Sequence, residues 1–331
     1  MLLRRLVMMA LVLVGITIIT FLLSRVVPTD PARLIAGPRA SAEGVAKVRH
    51  EYGLDLPLGQ QYWRYMANLL DWNFGKSFHS LRPVAQDLAD FLPATVELTL
   101  AALLFAVIVG NGIGVVSAVW RNSLADHLSR LVAIGGLSTP AFWLGILAQL
   151  LLYQRLGWLP FGGRHSDGVA MPPEITGLIT VDSLLAGNWA ALWDGLHHLL
   201  LPALVLGIEP MAVLARIMRT SMLEVMREQY ILAARAKGLI ERVVIWKHAI
   251  RNALLSVVTM IGLQIGYLLG GSILVETVFS WPGIGRYSAR AIVTADYNAV
   301  MGVTLVVAAI YLATNFLVDM AYAWLDPRIR Y

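Results

Sequence analysis

The chain has 331 residues, 58% of them hydrophobic and only 14% charged, with a mean hydropathy of +0.67. Soluble domains carry about a quarter of charged residues, so this composition points to a multi-spanning membrane protein. The net charge of +5 comes from no Lys/Arg cluster interleaved with aromatics on a soluble module, which argues against a nucleic-acid partner, and the lack of cysteine excludes disulfides, thiol catalysis and Cys-based metal sites.

The first apolar run, residues 6–27, is long enough for one crossing and follows Arg4 and Arg5. It is too long for a signal-peptide core and no Ala-x-Ala site follows, so residues 1–27 are expected to remain as an anchor helix. Residues 28–93 turn polar, with Pro28, Pro31, Pro38, Pro57 and Pro83, yet Tyr62, Trp63, Tyr65, Trp72 and Phe74 are too many aromatics for disorder. Short helices on the extracytoplasmic face are expected there. Gly75-Lys76-Ser77 looks like the end of a phosphate-binding loop, but Leu70 stands where the motif needs glycine and no strand leads in.

The remaining five spans form a core over residues 94–325, ahead of a cytoplasmic tail at 326–331. The second span, 94–120, carries Gly110 and Gly114 at a spacing that lets a neighbouring helix approach closely. A charged turn leads to the third span, 131–153, where Thr139-Pro140 should kink the helix because proline lacks the amide donor. A second outer loop, turn-rich at 162–168, precedes the fourth span, 197–217. Near its middle lies Glu209, followed by Pro210. A carboxylate facing lipid there costs roughly several kcal/mol, so Glu209 faces either a water-filled path, where it favours a cationic group, or an interhelical partner such as Arg216 two turns on. The fifth span, 253–278, bears Gly262, Gly266 and Gly270 in steps of four, a flat stripe for helix packing. Its Gln264 is a second candidate for the path, although amides also serve as interhelical hydrogen-bonding groups. The sixth span is 299–324. Glu97 and Asp319 fall near span ends, where structural roles are expected. Lys and Arg are denser in the short pieces that place both termini in the cytoplasm.

No zinc-binding His-Glu-x-x-His, nucleophile elbow or complete Walker loop occurs, and the side chains of His197 and His198 point to different helix faces. The distinctive stretch is residues 221–252, a long basic segment between the fourth and fifth spans. Ser221 and Glu224 have capping-box spacing, so a helix is expected to begin near Met222. Arg235 and Lys237 occupy a last turn, and Gly238 is placed to end it in the left-handed conformation. Glu241 opens a second segment. Two short helices broken at Gly238 form a docking surface; the alternative is a membrane-surface loop kept basic for topology alone.

Ala233-Ala234-Arg235-Ala236-Lys237-Gly238, followed by His248-Ala249-Ile250-Arg251-Asn252-Ala253, resembles the cytoplasmic EAA loop of bacterial ABC importer permeases. The narrower resemblance is to the dipeptide/oligopeptide/nickel permease family. It is carried by Tyr230-Ile231, by Glu276-Thr277-Val278-Phe279-Ser280-Trp281-Pro282-Gly283-Ile284-Gly285-Arg286, by Thr29-Asp30-Pro31, by Tyr52-Gly53-Leu54-Asp55 and by the closing Asp326-Pro327-Arg328-Ile329-Arg330. Leu232 replaces the glutamate of the general importer pattern and Arg251 its proline. The resemblance implies an all-α fold of six transmembrane helices, like type I ABC importer permeases, with an extracytoplasmic subdomain after the first helix. It implies a multi-pass subunit of the bacterial inner membrane, not an enzyme, with no cofactor of its own. Its implied partners are a second homologous permease subunit, two ATP-binding subunits that carry ATP and Mg, and an extracytoplasmic solute-binding protein. Tyr230, Ala233, Ala234, Arg235, Lys237 and Gly238 would couple to the ATPases, with Ala233, Ala234 and Gly238 as small contact points in the partner's groove. Glu209 and Gln264 would line the path. Short peptides are the expected cargo, the dipeptide subgroup being the most similar. Nickel complexes, opines, glutathione or D-amino-acid dipeptides are the alternatives on the same scaffold.

Overall fold

A computed structural model describes residues 2–26, 31–37 and 39–325; Asp30 and the closing 326–330 motif lie outside them. Among the described residues the chain is helical, with one isolated bridge between Lys76 and Pro83. The first anchor is α1 (Leu2–Val26), and the expected short helices are α2 (Pro31–Ala36), α3 (Ala42–Glu51) and α4 (Leu58–Leu70). Next come α5 (Val84–Val119), α6 (Leu124–Ser138) and α7 (Ala141–Ala148), whose last turns widen to π-helix over Gln149–Arg155. A short α8 (Ile179–Leu185) precedes α9 (Trp189–Val225) and α10 (Gln229–Ala236). The chain then forms α11 (Glu241–Val243), wide turns over Val244–Ala249, α12 (Ile250–Val278), α13 (Ile284–Val293) and α14 (Tyr297–Leu325). Among the described residues five helices are long and apolar enough to span a membrane, or six when α6 and α7 with its π-helical extension, bent by 105°, count as one span.

Residues 1–92 and 287–312 form one compact unit. Within it Phe21 of α1 meets Tyr62 and Tyr65 of α4, with ring centroids 5.4 and 5.9 Å apart. The hydroxyls of Thr17, Thr20 and Ser24 donate to carbonyls of α1 itself, so these polar groups are satisfied inside an apolar helix. Ser77, from the glycine-lysine-serine run, donates to the Asp296 carboxylate at 2.5 Å. Asp296 also accepts from the Ala299 amide and so caps α14. The run is a structural clasp.

Residues 93–286 and 313–331 form the second unit, centred on α9, 72% of whose apolar window is buried. A Cβ added at Gly110 or Gly114 would lie 2.7 Å from the Met211 or Ala215 carbonyl oxygen, and one at Gly207 2.7 Å from that of Ala102. Glycine therefore permits the backbones of α5 and α9 to touch. At one end Leu98, Leu206, Leu268, Phe279 and Trp281 form a core. At the other, Leu214, Met218 and Met222 pack with Ile231, Val244 and Val257.

The interruption expected at Thr139-Pro140 is found there, as the break between α6 and α7, because both the lost donor and the extended conformation forced on the residue before proline act at one point. One local expectation fails. No helix begins near Met222. The 37-residue α9 continues through Ser221, which is buried, to Val225. The Met218 and Met222 side chains carry the apolar face onward into the core, and their burial outweighs a capping signal of about 1 kcal/mol.

Candidate functional site

The segment joining α9 to α12 is a rigid elbow with two different faces. Its α10 begins at Gln229 after a turn in which the Glu228 amide donates to the Val225 carbonyl. Ile231 and Ala234, three residues apart, point inward and are buried against Met222, Val244 and Ala249. Tyr230, Ala233 and Lys237 lie on the exposed side, and Arg235 is half-buried. Gly238, at φ +79°, ends the helix. The Gly238 amide donates to Arg235 O and the Leu239 amide to Ala234 O, the bond pair of a Schellman motif. Across this turn Arg235 grips Glu241 through two bonds of 2.6 and 3.1 Å. The Glu241 carboxylate raises the Arg235 pKa above its ordinary value.

The exposed side mixes charged residues, among them Lys237, Arg242 and Lys247, with large apolar ones. Leu232, Leu239, Ile240 and Trp246 join Tyr230 there, with Ile240 68% and Trp246 65% exposed. Large apolar side chains left exposed among charged ones suit a surface that a partner covers. Of the three alanine and glycine contact points expected from the sequence, Ala233 and Gly238 are on this face. Ala234 instead packs inward, because the period of α10 places it beside Ile231.

Glu209, on the middle of α9, accepts a hydrogen bond from the Tyr267 hydroxyl of α12, and no ion pair joins it to Arg216. Gln264, one turn before Tyr267, is buried. Gly262 meets the Val318 side chain of α14, at 2.8 Å from an added Cβ, while Gly270 has nothing within 4 Å. Gly266 is half-buried.

Three buried polar knots brace the second unit. Glu276, fully buried, accepts from the Thr95 hydroxyl at 2.7 Å and from the Arg286 amide at 2.8 Å, so it holds the Trp281-Pro282-Gly283 turn and the start of α13. Trp281 completes this corner by donating its indole N–H to Ala94 O at 2.8 Å. Glu97 receives Arg164 at 2.6 Å and the Thr180 hydroxyl and amide. Asp182 accepts from the Thr176 hydroxyl and from the amides of residues 175–177; burial pushes its carboxyl up, but these donors outweigh it and hold the pKa below the ordinary value. Arg164, Glu174, Asp182 and Pro282 help line a cavity of about 430 Å³. The third knot is Asp126, which pairs with Arg219 at 2.9 Å. Tyr267, Arg164 and Arg219 carry no signal in the sequence because their partners are distant in the chain, whereas Glu97 has its place near a span end and Glu276 opens the stretch to Arg286 that carries the family resemblance. His197 and His198 bond separately to Trp158 O and Gly162 O. Among the described residues no three His, Asp or Glu side chains gather as a metal site.

The long apolar helices, with an elbow anchored by Ile231 and Ala234 between two of them, are those of a multi-spanning membrane protein. The chain belongs to the family described as binding-protein-dependent transport system inner membrane component, whose sequence profile matches residues 110–331; the N-terminal profile of the same systems matches residues 1–99. Among its relatives is the probable D,D-dipeptide transport system permease protein of Escherichia coli K12, 45% identical over 97% of this chain and 94% of that protein. The dipeptide transport system permease protein of Alkalihalophilus pseudofirmus is 44% identical over 99% of this chain and 98% of that protein. In fold the chain is similar to a chain of the inward-facing MetNI methionine ABC transporter, with a TM-score of 0.52 at 17% identity, covering 70% of this chain and 93% of that one.

Proposed function

We propose that the chain forms half of the translocation path of an ATP-driven importer of dipeptides and short peptides. A second homologous permease subunit supplies the other half, two cytoplasmic subunits bind ATP and Mg, and an extracytoplasmic solute-binding protein delivers cargo. Both termini and the elbow lie in the cytoplasm. The observation that carries this reading is the two-faced elbow: Ile231 and Ala234 lock α10 to the end of α9, while Tyr230, Leu232, Ile240 and Trp246 stay exposed. A rigid element anchored on one side and exposed on the other transmits a push from a docked ATPase into α9 and α12. The names of the relatives support the peptide cargo.

In this reading Glu209, held by Tyr267, lines the path and attracts the cargo's ammonium group, with Gln264 nearby on α12. A single carboxylate at membrane depth, oriented by a hydroxyl, fits transient attraction better than tight binding. The test is uptake of labelled dipeptide into vesicles containing the chain with its partner permease, ATPase subunits and binding protein. Uptake should require ATP. Flux that proceeds without nucleotide, or an elbow that cross-links to no ATPase, would sink the proposal.

A further inference from the structure

At the elbow end of the second unit, α5, α6 and α9 enclose a pocket of about 220 Å³ whose polar wall carries Arg130, Arg216 and Arg219. One carboxylate, Asp126, faces these groups; it is fully buried, with Arg219 at 2.9 Å and Arg130 at 3.4 Å. Three guanidiniums against one carboxylate leave two positive charges in excess. Arg216 has no ion-pair partner among the described residues. The other wall is apolar, formed by Ile113, Ile134 and Leu137. Leu137 lies seven residues along α6 from Arg130, about 10 Å by helical rise, so the pocket grades from cationic at the elbow end to apolar toward the middle of the helices.

We infer that this pocket binds the phosphate headgroup of an anionic phospholipid, with an acyl chain laid along Ile134 and Leu137. A small soluble anion would use the arginines but has no use for the apolar wall, whereas a lipid needs both, at the spacing found. The inference rests on the proposed function only for the elbow end being cytoplasmic, where anionic headgroups meet basic pockets between helices. Because Arg216 and Arg219 stand on the last turns of α9 before the elbow, an occupied pocket ties the helix that drives transport to its surrounding leaflet.

Native mass spectrometry of the assembled transporter with added phosphatidylglycerol or phosphatidylcholine tests this. The intact complex should retain phosphatidylglycerol and not phosphatidylcholine. Arg216→Gln and, separately, Arg130→Gln should each lower retention about tenfold, the loss of one charge-assisted contact, and Arg216→Lys should largely restore it. Thermal unfolding of each variant confirms that the complex is intact. Equal retention of both lipids, unchanged retention in both Gln variants, or full displacement by inorganic phosphate would overturn the inference. A wild-type complex that imports dipeptide but retains no phosphatidylglycerol defeats this inference alone, and one that retains the lipid without importing defeats only the proposed function.

Discussion

The guanidinium of Arg235 spans the turn at Gly238 to hold both carboxylate oxygens of Glu241, its shorter bond measuring 2.6 Å. A surface pair like this contributes at most about 1 kcal/mol to folding, but its two-point geometry fixes the angle between α10 and the segment that leads into α12. Glu241→Ala should therefore leave the unfolding temperature of the complex nearly unchanged while lowering the amount of cargo moved per ATP hydrolysed. Parallel measurement of ATPase rate and uptake checks this, and undiminished stoichiometry would refute the lever.

Gly238→Val should uncouple more strongly. No atom lies within 4 Å of a Cβ there, so the cost is chiefly that of the left-handed backbone, about 1–2 kcal/mol for an ordinary residue and more for a β-branched one, and is relieved by moving the turn. The subunit should insert and assemble, with ATPase activity retained and transport reduced several-fold.

Ala233 and Ala234 separate docking from folding. Ala233→Trp, on the exposed face, should leave stability unchanged and weaken association with the ATPase subunits. Ala234→Trp overfills a buried site and should destabilise by about 1–3 kcal/mol, visible as a lower unfolding temperature before any loss of association.

Glu276→Ala should be among the most damaging substitutions in the second unit. It leaves the Thr95 hydroxyl and the Arg286 amide without an acceptor, at about 1–3 kcal/mol for each buried group. Gly285→Ala should act on the same knot, since its Cβ would lie 2.8 Å from Glu276 Oε2 and from Ile273 Cα. Unfolding temperature and surface expression read both.

Asp182 introduces a pH dependence. Its folded pKa is below the ordinary value of 3.8, so the carboxylate stabilises the fold fully above that pH and ceases to do so as the pH falls through the lower folded value. Asp182→Asn should lower the unfolding temperature at neutral pH, and the gap to wild type should close only below about pH 4.

The two glycines of the second span were legible as a close-contact site, and both do touch α9, because small-residue spacing on one helix is a local pattern. The end of α10 at Gly238 was legible for the same reason: a chain ending a helix in the left-handed region needs glycine. The start of that helix was misplaced, since Ser221 and Glu224 carry a cap signal that the buried Met218 and Met222 overrule. Ala234, expected in a partner's groove, is covered by its own chain.

By itself the sequence determined the membrane-spanning class, the presence of the long apolar helices and the glycine turn of the elbow, since apolar run length, helical period and backbone permissiveness are properties of neighbouring residues. Only the tertiary structure decided which polar groups meet. Tyr267 with Glu209, Thr95 with Glu276, Arg164 with Glu97 and Arg219 with Asp126 are each more than fifty residues apart, and such pairs form when the faces of two packed helices come into register, a relation that no local pattern encodes.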